Sequence, residues 1–343
     1  MKLLVTGGAG FIGSNFVRWA LGRHADLRVT VLDKLTYAGN LDNLRDIAAD
    51  PRLEFIRGDV ADPAVVDPLV AATDAVVNFA AETHVDRSIM DAGAFIDTDV
   101  RGTWVLLEAA RRHRIGRFLQ VSTDEVYGHV ATGASVETDP LAPRSPYSAS
   151  KAGGDLMIGA YRATYGLPVL ITRGSNTIGP FQYPEKVVPV FVTNALDDQP
   201  LPVYGDGGAL RDYIYVTDHC SGIDAVLRDG QDGEIYNVGG GNQIDTLVLA
   251  RVILDRLGKP HSLIQLVPDR PGHDRRYNLD CGKLRALGWA PEHTFESALA
   301  ATVDWYVENE WWWRKLKSGE YLDYYRRNYR ERGSPLQRLP VER

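Results

Sequence analysis

A doubly wound α/β fold, built on a parallel sheet, is predicted by three observations. Short β-rich runs alternate with longer helical patterns through the first half of the chain. Several of those runs are apolar on both faces, as strands buried between two helix layers are. A cluster of glycines follows the first run and opens the first helical pattern, at Gly7-Gly8-Ala9-Gly10-Phe11-Ile12-Gly13.

The elements follow in order. Leu3–Thr6, Arg28–Leu32, Leu53–Arg57, Ala75–Phe79, Arg117–Val121 and Val169–Thr172 read as strands, rich in β-branched and aromatic residues. Between them, Ser14–Arg23, Val100–Arg112 and Ser148–Tyr165 carry apolar residues at helical spacing. After about residue 175 the texture changes. Gly179-Pro180, Tyr183-Pro184, Pro200-Leu201-Pro202 and Gly205-Asp206-Gly207-Gly208 punctuate it with turns. The expected division is a Rossmann-type domain at 1–175 and a smaller α/β substrate-binding domain, mainly 176–343, with some segments returning to the first. The tail from Trp305 is aromatic and basic and reads as a packing and surface segment.

The composition is that of an ordinary globular protein, 44% hydrophobic and 24% charged over 343 residues. A net charge of −7 supplies no basic field to draw in nucleic acid or an anionic membrane. An anionic substrate must therefore be met by local Arg, Lys and backbone N–H groups. Cys220 and Cys281 form no CxxC and read as reduced thiols. The eight histidines show no metal-binding spacing, and no metal is expected. No run approaches a membrane span, and the first apolar run ends at Gly7, too short for a signal peptide. Cytoplasm is the expected location.

The glycine cluster satisfies both GxGxxG (Gly8, Gly10, Gly13) and GxxGxxG (Gly7, Gly10, Gly13). Missing side chains permit a tight turn and close approach of a diphosphate to the helix N-terminus. Asp33 lies 20 residues past Gly13, placed to accept from a ribose 2′-OH and repel a 2′-phosphate, which predicts NAD over NADP. Lys34 next door weakens that preference slightly. Asp59 and Val60, after the third strand, are placed to touch adenine.

Tyr147 and Lys151 are four residues apart, on one face of a predicted helix. An ammonium near a phenol favours the phenolate, so Tyr147 is expected to take a proton near neutral pH. Upstream, Ser122-Thr123-Asp124-Glu125 ends a strand. Two carboxyls beyond what alcohol oxidation needs point to a second proton transfer. Adjacent carboxyls can act as acid and base if their surroundings separate them.

With these motifs in hand, the chain resembles the extended short-chain dehydrogenase/reductase family. Within it, the chain is similar to the dTDP-glucose 4,6-dehydratases over residues 1 to about 315. The resemblance is carried by 80–88, Ala-Ala-Glu-Thr-His-Val-Asp-Arg-Ser, and by Ser122-Thr123-Asp124-Glu125-Val126-Tyr127-Gly128. Pro184-Glu185-Lys186, Arg211-Asp212-Tyr213 and Asp269-Arg270-Pro271-Gly272-His273-Asp274 extend it.

The resemblance implies oxidation of a nucleotide-bound glucose at C4, loss of water across C5–C6, and return of the hydride to C6. Tyr147 would take the 4-hydroxyl proton, with Lys151 holding the phenolate and the nicotinamide ribose. Thr123 would bond the sugar hydroxyl, Glu125 would remove the C5 proton, and protonated Asp124 would release the 6-hydroxyl as water. Further cofactor contacts are expected from Phe11, Ile12, Thr36, Ala80, Ala81, Asp99, Ser122 and Asn176. Arg211 and Arg270 suit a diphosphate, and Tyr204 suits stacking on the base. His84, Ser88, Asn176, Glu185, Lys186, Pro202, Thr246 and His273 complete the expected substrate pocket. The implied partners are dTDP-glucose and a second copy of the chain. That homodimer would pack Val100–Arg112 and Ser148–Tyr165 into a four-helix bundle through Leu106, Leu107, Leu156 and Met157.

Asp99 stands where the family commonly has Asn, and a carboxylate cannot donate a hydrogen bond unless protonated. Thr246 likewise replaces an expected Asn, and Thr177-Ile178 follow Asn176 in place of a further Asn or Tyr. The competing enzymes are GDP-mannose or UDP-sugar dehydratases, and UDP-sugar epimerases or decarboxylases that should lack one of the two acids. A non-catalytic NAD-sensing protein should have lost Tyr147, Lys151 or the acids.

Overall fold

The computed structural model describes residues 1–330, so residues 331–343 of the expected 176–343 domain lie outside the described residues. Six strands of the first half are β1 (Lys2–Thr6), β2 (Arg28–Asp33), β3 (Leu53–Arg57), β4 (Ala75–Asn78), β5 (Arg117–Thr123) and β6 (Val169–Gly174). The second half adds β7 (Asn176–Ile178), β8 (Leu201–Tyr204), β9 (Leu210–Arg211), β10 (Tyr213–Tyr215), β11 (Ile235–Val238), β12 (Ile244–Asp245) and β13 (Ile264–Val267). The helices are α1 (Phe11–Arg23), α2 (Pro63–Ala71), α3 (Val85–Met90), α4 (Gly93–Phe95), α5 (Thr103–His113), α6 (Pro146–Tyr165) and α7 (Val187–Leu196). They continue as α8 (Val216–Asp229), α9 (Thr246–Leu257), α10 (Gly282–Arg285), α11 (Phe295–Glu308), α12 (Glu310–Leu316) and α13 (Glu320–Tyr325).

Seven strands form one parallel sheet in the order β3-β2-β1-β4-β5-β6-β11. The order reverses at β1, so a crevice opens beyond the carboxyl ends of β1 and β4, where such sheets bind ligands. Every residue of β4 and β6 is buried, which is why 75–77 and 169–171 read as continuous apolar runs. Helices α1 and α8 pack together on one face of the sheet, and α2, α5 and α6 cover the other. Both α8 and β11 come from the second half of the chain. A second core gathers α7, α9, α11 and α12 around Phe191, Leu254, Tyr306, Trp312 and Trp313.

Two expectations are corrected here. The predicted helix Val100–Arg112 begins instead as a wider π-helical stretch over Ile96–Gly102, before α5 proper. Thr103 Oγ1 donates to the Asp99 carbonyl and satisfies an oxygen in that stretch. Leu106 and Leu107 are fully buried under the sheet, so they cannot meet a second copy. Leu156 on α6 is 66% exposed and Trp104 on α5 is 42% exposed, leaving these two on the outer face. Both cysteines are buried free thiols, and no described helix is long and apolar enough to cross a membrane.

The Trp-rich segment does more than cover the surface. Trp312 Nε1 donates to Asn43 Oδ1, and Asn43 Nδ2 donates to the Ala9 carbonyl inside the glycine turn. The tail thereby braces the loop on which a cofactor would rest.

Candidate active site

Two clefts meet at the carboxyl end of the large sheet. The first is lined by Gly7, Gly10, Phe11, Ile12, Gly13, Asp33, Lys34, Thr36, Asp59, Val60, Ala80, Ala81, Ser122, Tyr147 and Lys151. All of these come from the expected cofactor set. The glycines are required by space. A Cβ on Gly13 would lie 2.3 Å from the Gly7 carbonyl oxygen, and one on Gly7, at φ +66°, would lie 2.7 Å from the Ala80 nitrogen. This hollow against the start of α1 is the shape that a diphosphate needs, so the residues present fit a dinucleotide.

Asp33 is held by the Ala9 N–H at 2.9 Å on Oδ2 and the Leu35 N–H at 2.8 Å on Oδ1. Each carboxylate oxygen keeps a lone pair for a ribose hydroxyl. Lys34 does not lean toward a 2′-phosphate. It pairs with Asp59 at 2.6 Å, and Asp59 Oδ1 also accepts the Ala61 N–H. Glu82, Thr83, Thr98 and Tyr183 also line this cleft. Glu82 and Thr83 lie in the motif 80–88, which alone could have flagged them.

Tyr147 and Lys151 sit in the first turns of α6. That helix starts with a reciprocal cap: Ser145 Oγ accepts the Ser148 N–H, and Ser148 Oγ accepts the Ser145 N–H. Pro146 occupies the first helical position, where its missing N–H does no harm. Lys151 is buried and its ammonium donates to the Val121 carbonyl at 2.9 Å. The expected easy phenolate is not what the surroundings favour. Burial, then the charges of Glu125, Asp99 and Asp124, push the Tyr147 phenol well above its usual range.

Thr123 ends β5 and caps the short turn Asp124–Tyr127. Its Oγ1 accepts the Glu125 N–H at 3.3 Å and lies 3.2 Å from Asp124 Oδ1. Asp124 points inward, 3% exposed, and its Oδ2 has no hydrogen-bond partner among the described residues. Burial, reinforced by the Glu125 charge, raises its pKa well above the usual carboxylate range, against the pull of Arg211. Glu125 faces the second cleft. Burial raises it too, but three cations, Arg270, Lys186 and Arg211, oppose the rise. Neighbouring carboxyls thus sit in different electrostatic surroundings.

The second cleft collects His84, Glu125, Asn176, Glu185, Lys186, Pro202, Tyr204, Arg211, Thr246, Arg270 and His273. Lys186 borders both clefts and donates to Thr83 Oγ1. His84 is held at φ +99°, a conformation rare for a side-chain-bearing residue, and burial lowers its pKa to about 4. His273 Nδ1 lies 2.6 Å from Asp269 Oδ1 while Arg211 Nη2 lies 3.1 Å from His273 Nε2. Burial, with Arg270 and Arg211 nearby, lowers His273 to about 4. Its ring is therefore neutral, donating from Nδ1 and accepting at Nε2. Arg270 Nε and Asn176 Oδ1 are buried without partners among the described residues, polar groups suited to a ligand.

Five placements differ from expectation. Thr123 and Asp124, expected at the substrate, line neither cleft; of the acid pair, Glu125 alone does. Asp99 is absent from the cofactor cleft; it lies behind it, 1% exposed, against Ser150. Asn176, also expected at the cofactor, lines only the second cleft, because β7 pairs with β10 beyond the end of β6. Ser88 lines neither cleft, because its hydroxyl turns back to the Val85 carbonyl within α3. Tyr204 has a ring neighbour already: Tyr329 stacks on it at 5.7 Å, and Asn328 Nδ2 donates to its hydroxyl at 2.6 Å. Tyr329 lines the second cleft, so the segment read as surface packing builds part of its wall. Nothing local in Asn328-Tyr329 signals this, since the contact joins positions more than a hundred residues apart.

Comparison with known proteins agrees with this geometry. A family described as GDP-mannose 4,6 dehydratase matches residues 4–302. A dTDP-glucose 4,6-dehydratase of Streptomyces niveus is 52% identical over 93% of this chain and 96% of its own. The crystal structure of a dTDP-glucose 4,6-dehydratase from Streptomyces venezuelae, solved with NAD, is 52% identical at a TM-score of 0.91, covering 92% of this chain and 100% of that one. A Thermus thermophilus UDP-glucose 4-epimerase complexed with NAD is 34% identical at a TM-score of 0.83, covering 90% of this chain and 100% of that one. The scaffold is thus shared between reactions, so the fold alone does not distinguish them. The chain belongs to the nucleotide-sugar dehydratase family described as GDP-mannose 4,6 dehydratase, within the extended short-chain dehydrogenase/reductases.

Proposed function

We propose that the protein is a dTDP-glucose 4,6-dehydratase, a hydro-lyase that yields dTDP-4-keto-6-deoxy-glucose. The observation that carries the reading is the contrast within one turn: Asp124 is buried and pushed toward its neutral acid, while Glu125 faces a cleft with three cations. Water loss needs such a pair, an acid for the leaving hydroxyl and a base for the C5 proton. Bound in the first cleft, NAD supplies hydride uptake at C4 and hydride return at C6.

The residues divide the remaining work. Gly7, Gly10 and Gly13 admit the diphosphate of the cofactor and Asp33 accepts its ribose hydroxyl. Tyr147 takes the 4-hydroxyl proton through its phenolate, the form its surroundings disfavour, with Thr123 bonding the same sugar oxygen and Lys151 holding the helix face toward the cofactor. The resulting 4-ketone acidifies C5–H. Glu125 then removes that proton, Asp124 protonates the departing 6-hydroxyl, and a proton returns to C5 as the hydride returns to C6. Arg211 and Arg270 bind the diphosphate of the sugar nucleotide.

The test is incubation with dTDP-, UDP- and GDP-sugars without added reductant. A 4-keto-6-deoxy product is expected from dTDP-glucose. In Asp124→Asn/Glu125→Gln, C4 should still be oxidised while dehydration falls by about 10²-fold or more. Product by mass spectrometry and reduced-cofactor absorbance check both steps. A double variant that dehydrates at the normal rate would sink the assignment.

We also propose a homodimer through the outer faces of α5 and α6, where Trp104 and Leu156 are exposed large apolar side chains. Sedimentation should give twice the chain mass at micromolar concentration, and Leu156→Glu should yield monomer. A wild-type monomer would reject the proposal.

A further inference from the structure

Asp99 presents a proton-counting problem. Ser150 Oγ lies 2.8 Å from the Tyr147 carbonyl oxygen and 2.5 Å from Asp99 Oδ2. A hydroxyl has one proton, so it cannot donate fully to both. Both contacts are made as hydrogen bonds if Ser150 donates to the carbonyl and Asp99 carries a proton that it donates to Ser150. The other oxygen, Asp99 Oδ1, is buried and lacks a partner of close hydrogen-bond geometry among the described residues, while the Glu82 backbone N–H gives the carboxylate partial support. The helix is pressed onto this segment: a Cβ on Gly154 would lie 2.9 Å from the Asp99 carbonyl oxygen.

We propose that Asp99 is a positioning residue for the Tyr147–Lys151 pair, which holds the start of α6 through Ser150 and sets the charge beside the Tyr147 phenol. This rests on the dehydratase reading for what Tyr147 does. The groups facing the carboxyl are Tyr147, Ser150 and Lys151 from α6 and Glu82, with its backbone N–H, from the loop after β4. Burial raises Asp99 to about 6, against Lys151, the Ser150 hydroxyl and the Glu82 backbone N–H. Burial, then the Asp99 charge, raises Glu82 to about 7.

Below about pH 6 Asp99 is neutral, and above it the carboxylate charge works against the Tyr147 phenolate. A permanently neutral side chain should therefore let Tyr147 ionise at lower pH. In Asp99→Asn the amide keeps a donor toward Ser150 and removes the charge.

The experiment titrates NAD-loaded protein by ultraviolet difference absorbance of the phenolate, assigned to Tyr147 by subtracting Tyr147→Phe. Asp99→Asn should move the transition to lower pH by about one unit, the scale of one charge acting across a partly desolvated site. The acid limb of kcat/KM should move with it. A transition unmoved, or moved to higher pH, overturns the proposal. The titration needs no sugar, so failure to turn over dTDP-glucose would fall on the function reading alone. If Asp99→Asn does not fold, Ser150→Ala replaces it. Loss of the hydroxyl should displace the transition, and an unmoved one overturns the proposal.

Discussion

The two clefts are built in different ways. The cofactor cleft rests on backbone: a glycine turn, a helix N-terminus and one carboxylate already tied to two N–H groups. The substrate cleft rests on buried polar and charged side chains brought from widely separate stretches of the chain, from His84 to His273. Backbone sites are local in sequence and intolerant of any added atom. Side-chain sites are dispersed, and each member depends on partners far away. Removing one charge there leaves its partners uncompensated, which costs more than the lost contact alone.

Two variants separate these modes, the larger effect first. Gly13→Val places a Cβ 2.3 Å from the Gly7 carbonyl oxygen, which must force the turn open. Cofactor retained through purification should fall below about a tenth of wild type, measured as NAD released on denaturation. Retention near the wild-type level would show that the turn is softer than its geometry. Arg270→Ala should leave retained NAD unchanged, because Arg270 is not in the cofactor cleft. It should raise KM for dTDP-glucose about 100-fold, as loss of a charge-assisted contact of ~3 kcal/mol does. A change in both NAD and KM would mean that the clefts are coupled, with Lys186 at their shared border the first suspect.

The same contrast explains what could be read early. The strand runs and the glycine turn were legible because a parallel sheet needs apolar residues on both faces, and the turn has no room for Cβ. Asp33 was legible by its distance from Gly13. Ser88 was misplaced because a motif does not say which way a hydroxyl turns, and here the local Val85 carbonyl wins it. Leu106 and Leu107 were misassigned to a subunit surface because helical spacing identifies an apolar face without naming what covers it. The Tyr147 phenolate was overestimated because burial and nearby carboxyls outweigh a lysine whose ammonium is committed to Val121.

By itself, the sequence determined the sheet's strands, the dinucleotide fingerprint with Asp33, and the residue types of the proposed reacting group, Thr123, Asp124, Glu125, Tyr147 and Lys151. These depend on neighbours within one turn or one strand. Tertiary structure decided which carboxyl faces Arg270 and Lys186 and which lacks them, that Asp99 braces α6 from behind the cofactor cleft, and that Tyr329 walls the second cleft. Protonation depends on the burial and charges around a group, and those arrive from strands and helices that meet only when the chain folds.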